Sequence, residues 1–341
     1  MSSTRQVLEH LLAGRDLDEA DAGALLRTLT DQSLAPAVAG ALLAALRAKG
    51  VTAAEVRGFA AAMRSLARRP DLPAGLEAID IVGTGGDSSG SLNLSTGAAL
   101  LTAACGLPVV KHGNRSISSR SGSADVLECL GLPMPLDEQR AARCFEATGF
   151  TFLFAPYYHP AMRSLAPIRS ALGIRTVFNL LGPLTNPAAP RYHLIGAFNA
   201  ATAELIAESL AGSADLGRAW VVHGAAGWDE ATPIGPFTAH DVTSAGSTRL
   251  IVDPRDFGVP PCEAEDLKGG DARANLAALE QVFAGSDRGA HRSALVLQCG
   301  IALLIAGRAD SIPAGVQAAS EAIDSGRARD WLERLRQVAA A

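Results

Sequence analysis

A glycine-rich turn, Gly83-Thr84-Gly85-Gly86-Asp87, is followed further along by the polar run Lys111-His112-Gly113-Asn114-Arg115-Ser116-Ile117-Ser118-Ser119-Arg120-Ser121-Gly122-Ser123. Glycine tolerates positive φ and lets successive backbone N–H groups face outward as an anion-binding nest. Asn93-Leu94-Ser95-Thr96 then opens a helix. A helix N-terminus offers unpaired N–H groups and roughly half a positive charge, a natural seat for a diphosphate. Lys111 and Arg115 are cationic donors for phosphate oxygens, and Asn114 can both donate and accept. Ser118, Ser119 and Ser123 add hydroxyls. Together these groups suit a highly anionic, oxygen-rich ligand such as a phosphorylated sugar. Each alone has a plainer explanation, a tight βα turn or a solvated basic loop. The glycine spacing matches neither G-x-x-x-x-G-K-[ST] nor G-x-G-x-x-G.

Two further clusters carry charge. In Gly227-Trp228-Asp229-Glu230, adjacent carboxylates could hold Mg²⁺ with substrate phosphates completing its shell, although an ordinary acidic turn looks the same. In Tyr158-His159-Pro160-Ala161-Met162, Arg169 and Phe178 to Pro187, a helix bracketed by prolines would set His159 and Arg169 about 15 Å apart along its axis. An arginine near a histidine suits an organic carboxylate, and Tyr158 and Pro183 could line an aromatic slot. Interdomain hinge duty is the bland alternative. His10 and His291 read as helix-surface residues, His193 and His240 as structural, and His223 as a flank of the acidic loop.

The elements that must position these groups follow from periodicity. Residues 1–72 carry only helical signals, near 3–13, 18–31, 35–48 and 53–69. Asp16 with Glu19 and Thr52 with Glu55 have the spacing of helix starts, and Gly50 that of a stop. A wide apolar stripe (Val38, Ala41, Leu42, Ala45, Leu46) predicts packing beyond this segment, for instance on a second copy of the chain. From residue 73 to 341 short apolar runs alternate with helices. Strands are expected at 78–82, 108–111, 150–156, 192–198, 219–224 and 249–253. Helices are expected at 95–105, 124–130, 200–212, 272–283, 292–306, 313–324 and 328–339. Such alternation predicts an α/β fold, a mostly parallel central sheet flanked by helices, plus a small all-helical domain. Ligands of such sheets sit outside the carboxyl ends of the strands, where both informative loops begin. Lys111 and its neighbours are expected to point off the sheet end.

Composition sets limits. The chain has 341 residues, 48% hydrophobic and 19% charged, with a net charge of −5. A sizeable core is possible, while a general nucleic-acid or membrane-surface binder is disfavoured. Five cysteines without C-x-x-C spacing read as reduced thiols of a cytoplasmic protein, not a zinc site or disulfide framework. The N-terminal residues show no signal-peptide pattern, and no apolar run is long enough for a membrane span.

With these residues assembled, the chain resembles the anthranilate phosphoribosyltransferase family, whose architecture is also that of nucleoside phosphorylases. The matching motifs are GTGGD at 83–87, NLST at 93–96, KHGNR…SS…GSADVLE at 111–128, HPAM…R…LGIRT.FN.LGPLTNP at 159–187, GWDE at 227–230 and DLKGGD at 266–271. The resemblance implies Mg²⁺-dependent transfer of phosphoribose from phosphoribosyl pyrophosphate (PRPP) to the amine of anthranilate, a step of tryptophan synthesis. It implies PRPP contacts from Gly83, Gly86, Asp87, Ser91, Asn93, Leu94, Ser95, Thr96, Lys111, His112, Gly113, Asn114, Arg115, Ser116, Ile117, Ser118, Ser119 and Ser123. Two magnesium ions would be held by Ser95, Asp229 and Glu230. Anthranilate would meet Gly83, Asn114 and Arg169, with His112, Tyr158, His159 and Pro183 shaping its entry. It further implies a homodimer through the helical domain (1–72, with helices from about 166–184 packed on it). Ser91, Leu92 and Gln298-Cys299-Gly300 depart from the family pattern.

The amine of anthranilate is already a nucleophile, so no acid or base residue is assigned; Lys111 and Arg115 are expected to act electrostatically. Alternatives are a pyrimidine-nucleoside phosphorylase-like enzyme, a non-catalytic nucleic-acid-binding relative, and a paralogue using another aromatic amine. The acidic pair and the Arg169 segment argue against the phosphorylase, and the net charge against nucleic acid.

Overall fold

The computed structural model describes residues 3–73, 75–116 and 120–340. The chain divides into two compact units, Met1–Arg69 with Ala155–Pro187, and Pro70–Phe154 with Ala188–Ala341. No helix among the described residues is long and apolar enough to cross a membrane.

The first unit is helical. It contains α1 (Thr4–Leu12), α2 (Glu19–Thr30), α3 (Pro36–Lys49) and α4 (Ala53–Leu66). Thr52 caps α4 and Glu55 reaches back to it, the reciprocal box its spacing predicts. The cap of α2 is Asp18, not the expected Asp16. Asp16 instead pairs with Lys49 Nζ at 2.6 Å, and Lys49 also meets the buried Glu55 at 3.0 Å. The buried stripe of α3 is Ala39, Leu42, Leu43, Ala45 and Leu46.

The same unit takes in α8 (Ala155–Tyr158), α9 (Ala166–Leu172) and α10 (Phe178–Leu181). Phe178 stands edge-on to Phe59 of α4, with centroids 6.4 Å apart. Arg64 donates to the Leu184 carbonyl at 2.6 Å. The continuous proline-bracketed helix is not present. A 3-10 turn, Pro160–Arg163, separates α8 from α9, because proline lacks the N–H a helix interior needs. The axial estimate of the His159 to Arg169 distance therefore does not hold.

The second unit is a seven-stranded sheet in the order β3-β2-β1-β4-β5-β6-β7. Its strands are β1 (Ile79–Gly83), β2 (Val109–Gly113), β3 (Phe150–Phe154), β4 (Tyr192–Gly196), β5 (Arg218–His223), β6 (Phe237–Thr243) and β7 (Gly246–Val252). Pairings from β3 to β5 are parallel, and β6 and β7 add an antiparallel hairpin. The strand β6 was not expected. Its FTAHDVT sequence mixes polar with apolar residues.

Helices α5 (Leu94–Ala104), α6 (Ser123–Leu130), α7 (Glu138–Thr148) and α11 (Ala200–Leu210) connect the strands. The chain closes with α12 (Ala272–Phe283), α13 (Ala290–Ile305), α14 (Ile312–Asp324) and α15 (Arg327–Ala340). Helix α7 was also unforeseen. Apolar on every side, α5 and α13 are almost wholly buried and pack together, as helices without a polar face must. The chain runs from β1 outward to β3, then returns to the other side of β1 to lay down β4 and β5. The carboxyl ends of β1 and β4 thus flank a topological switch point, where open α/β sheets bind ligands.

Candidate active site

At that switch point Gly83, the last residue of β1, lies in register with Gly196, the last of β4. The acidic loop after β5 folds back over this pair. A Cβ on Gly196 would lie 1.6 Å from the Asp229 carbonyl oxygen, so only glycine lets the loop sit this low. Asp229 Oδ2 accepts the Gly85 N–H at 2.6 Å, and the Asp229 N–H reaches Asp87 Oδ2 at 3.4 Å. Glu230 Oε1 accepts the Ser95 N–H at 3.3 Å, in the first turn of α5. The glycine turn and the start of α5, close neighbours in the chain, are thereby drawn into one locus with the acidic loop, which lies 144 positions beyond Gly85 and 135 beyond Ser95.

The electrostatics of this locus are unfavourable without a cation. Burial and the neighbouring Asp87 push the Asp229 carboxyl up to about 7. Burial and Asp229 push Glu230 up to about 8, partly offset by Lys111. No cluster of three His, Cys, Asp or Glu side chains able to hold a metal occurs among the described residues. Magnesium needs no such cage, since it usually binds one or two carboxylates and completes its shell with water and substrate phosphates. Two carboxylates that resist ionising, beside a nest of N–H groups, fit an ion that arrives with a polyphosphate.

Lys111 corrects an expectation. It lies within β2, 1% exposed, and its Nζ donates to the Ile81 carbonyl, with Ser95 Oγ at 3.5 Å. Its charge points into the protein, not off the sheet end. Burial lowers its pKa while Asp80 and Glu230 raise it. Asp80, fully buried in β1, accepts the His112 N–H at 3.3 Å. Sequence reasoning passed over Asp80, although an aspartate inside an apolar strand is a signal in itself.

Arg115 is also engaged. Its guanidinium bonds Asp125 at 2.9 Å and Glu128 at 2.7 Å and 3.1 Å. These partly exposed pairs hold it on α6 by roughly 1 kcal/mol or less each. Asn114 is exposed, and its Oδ1 accepts the Arg115 N–H at 2.7 Å. Asp125 fastens the base of the loop, accepting from Gly122 at 2.8 Å and Ser116 at 3.2 Å. Leu94 and Thr96 are fully buried, which leaves only their backbone for a ligand. Ser89 Oγ lies 3.2 Å from Ser91 Oγ and 3.0 Å from Asp87 Oδ1, with one proton for the two, and the Ser89 N–H donates to Asp87 Oδ1 at 3.1 Å. Gly86 lies in the glycine turn, the buried His112 and then Gly113 end β2, and Ser123 opens α6. Ile117, Ser118 and Ser119 lie outside the described residues.

The helical unit carries the other constellation. Arg169, half-buried on α9, lies 5.3 Å from the centroid of the Phe178 ring, and burial lowers its pKa. Burial pushes the His159 imidazole down to about 4, against a smaller opposing contribution from the Thr185 backbone. Pro183 is buried. Tyr158 is 0% exposed and its carbonyl accepts the Arg68 N–H at 2.8 Å, so it is a core residue with no open face to line a slot.

A model of the "Glycosyl transferase family, a/b domain" matches residues 75–329, and one of its "helical bundle domain" matches 5–67. Anthranilate phosphoribosyltransferase of Methylobacterium radiotolerans is 47% identical over 98% of this chain and 96% of its own length. The chain belongs to the anthranilate phosphoribosyltransferase family. The crystal structure of the family's Thermus thermophilus member superposes with a TM-score of 0.90 at 40% identity, covering 98% of this chain and 99% of the other. The Saccharomyces cerevisiae enzyme in complex with PRPP and Mg gives 0.89 at 25% identity, covering 99% and 98%. The match spans both units, so the family's fold and this chain's are the same from the first helix to the last.

Proposed function

We propose that this protein transfers the phosphoribosyl group of PRPP to the amine of anthranilate, releasing pyrophosphate in a magnesium-dependent reaction of tryptophan synthesis. The observation that carries the reading is the convergence of Gly85, Ser95, Asp229 and Glu230 at the switch point in a chain of this family. The Saccharomyces cerevisiae relative binds PRPP and Mg.

In this reading the diphosphate takes the N–H groups of the glycine turn and of the first turn of α5 from Asp229 and Glu230, which accept from them in its absence. Asp229 and Glu230, with Ser95, hold magnesium, which when bound supplies positive charge to the departing pyrophosphate. Lys111 is too deeply seated to grip phosphate. Its charge eases the ionisation of Glu230 and acts on the site from beneath. Arg115 must exchange Glu128 for a phosphate oxygen to reach the ligand, a low-cost exchange given the weakness of exposed pairs.

The N–C bond forms at the anomeric carbon as the bond to pyrophosphate oxygen breaks, and the amine then gives its proton to water. Positioning and preorganised charge carry the rate, without a dedicated base. Arg169 would hold the anthranilate carboxylate and Asn114 would orient the amine. Leu12 and Ile174, large hydrophobics of the helical unit exposed by 65% and 48%, support a homodimer through that unit.

Mass spectrometry of a reaction containing PRPP, anthranilate and Mg²⁺ tests the reading. One phosphoribosyl-anthranilate should appear for each pyrophosphate. Pyrophosphate without that adduct would mean that water, not anthranilate, takes the phosphoribosyl group, and would contradict the reading.

A further inference from the structure

A line of amide hydrogen bonds crosses the α/β unit beneath the two anion loops. The Gly270 N–H donates to Asn275 Oδ1 at 2.6 Å. Asn275 Nδ2 donates to Asn93 Oδ1 at 2.7 Å, and Asn93 Nδ2 donates to the Ser121 carbonyl at 3.1 Å. Its two ends cannot be reversed, since a backbone N–H only donates and a carbonyl only accepts. Both asparagine amides are therefore locked in one orientation, and turning either would set like groups against each other.

Asn275 is 2% exposed in the first turn of α12, so leaving its amide unpaired would be costly. Close approach is built in beside it. A Cβ on Gly269 would meet Leu92 backbone atoms and Asn275 Oδ1 at 2.8 Å.

What the line does is visible at Asn93. This residue occupies the cap position of α5, yet its side chain makes no cap hydrogen bond. Capping by asparagine contributes about 1 kcal/mol, and here it is forgone. The amide reaches sideways to Ser121, which adjoins Gly122 at the far end of the Lys111 loop. Gly122 is fastened separately by Asp125. The Asn93 side chain is thereby kept off the start of α5, where Glu230 receives the Ser95 N–H, and the loop is held in a fixed relation to that helix start.

We infer that Asn275 is a positioning residue for PRPP: through Asn93 it keeps that side chain off the helix start and fixes the distal end of the Lys111 loop against it. The inference rests on the functional reading above, in which these two segments share one ligand.

The test compares Asn275→Asp, Asn275→Ala, Asn93→Ala and the double variant Asn93→Ala/Asn275→Ala with the unaltered enzyme, by steady-state kinetics and thermal unfolding. Asn275→Asp keeps the acceptor for Gly270 but sets a second carboxylate oxygen against Asn93 Oδ1, so Asn93 must turn its amide and release Ser121. It should still unfold cooperatively, at a lower melting temperature, and raise the PRPP KM about tenfold, the scale of one buried hydrogen bond. The anthranilate KM should stay within about twofold. The double variant should be no worse than Asn93→Ala alone, because both act through one line. An unchanged PRPP KM in Asn275→Asp, effects that multiply in the double variant, or failure of both Asn275 variants to fold would each overturn the positioning role. Absence of activity in the unaltered enzyme would instead overturn the functional reading.

Discussion

Asp229 Oδ2 accepts the Gly85 N–H at 2.6 Å, which ties the acidic loop after β5 to the glycine turn after β1. The bond places a prospective metal ligand and a prospective phosphate nest in one rigid patch. It also makes the patch sensitive to the floor on which it rests.

That floor is Gly196. Gly196→Ala drives a methyl group into the Asp229 backbone and should lift the loop. Overpacking of this kind costs about 1–3 kcal/mol, and the displaced carboxylates should cost at least tenfold in kcat/KM. Urea unfolding and turnover, measured on the same sample, check both. Unchanged kcat/KM would show that the loop's seat is immaterial to the reaction.

Glu230 gives a prediction with a sign. Its carboxyl is raised from 4.5 to about 8 in the fold, so between these values the native state holds more protons than the unfolded chain. Its contribution to stability therefore falls as pH rises across that window. Glu230→Gln should raise the melting temperature in chelator, more at pH 8.5 than at pH 6, while magnesium-dependent turnover drops. A melting temperature lowered equally at both pH values would contradict the repulsion described at this locus.

His159 behaves oppositely. Burial lowers its pKa from 6.5 to about 4, so the unfolded chain takes up the proton first as pH falls. The stability it loses between those values amounts to at most about 3 kcal/mol. Its ring resonances in an NMR titration should stay those of neutral imidazole down to pH 5. Titration near 6.5 would mean that the ring is solvated.

Arg169→Ala should raise the anthranilate KM far more than the PRPP KM, by about tenfold or more for loss of a charge-assisted bond. Equal effects on both substrates would remove Arg169 from the carboxylate.

Much of this was legible in the sequence. The alternation of strands and helices, the Thr52 box and the start of α5 at Asn93-Leu94 all follow local rules, and local rules are what a sequence displays. The misses have physical reasons. Helix α7 carries four charged residues, Glu138, Arg140, Arg143 and Glu146, which blur its apolar face. Strand β6 alternates too imperfectly to stand apart from a loop. Lys111 looks exposed in the sequence because nothing local reveals that β2 extends to Gly113 and buries it. Asn275 belongs to no motif. Its meaning lies wholly in Gly270 and Asn93, and the latter stands 182 positions away.

The central claim, that these loops present PRPP to anthranilate, is tested most directly by anthranilate fluorescence. On mixing with the purified protein, PRPP and Mg²⁺, the fluorescence should decay, stop on addition of chelator and resume with excess Mg²⁺. A parallel mixture of thymidine and phosphate should release no thymine. Stable anthranilate fluorescence at all Mg²⁺ concentrations, with thymine released in the parallel mixture, would contradict the account.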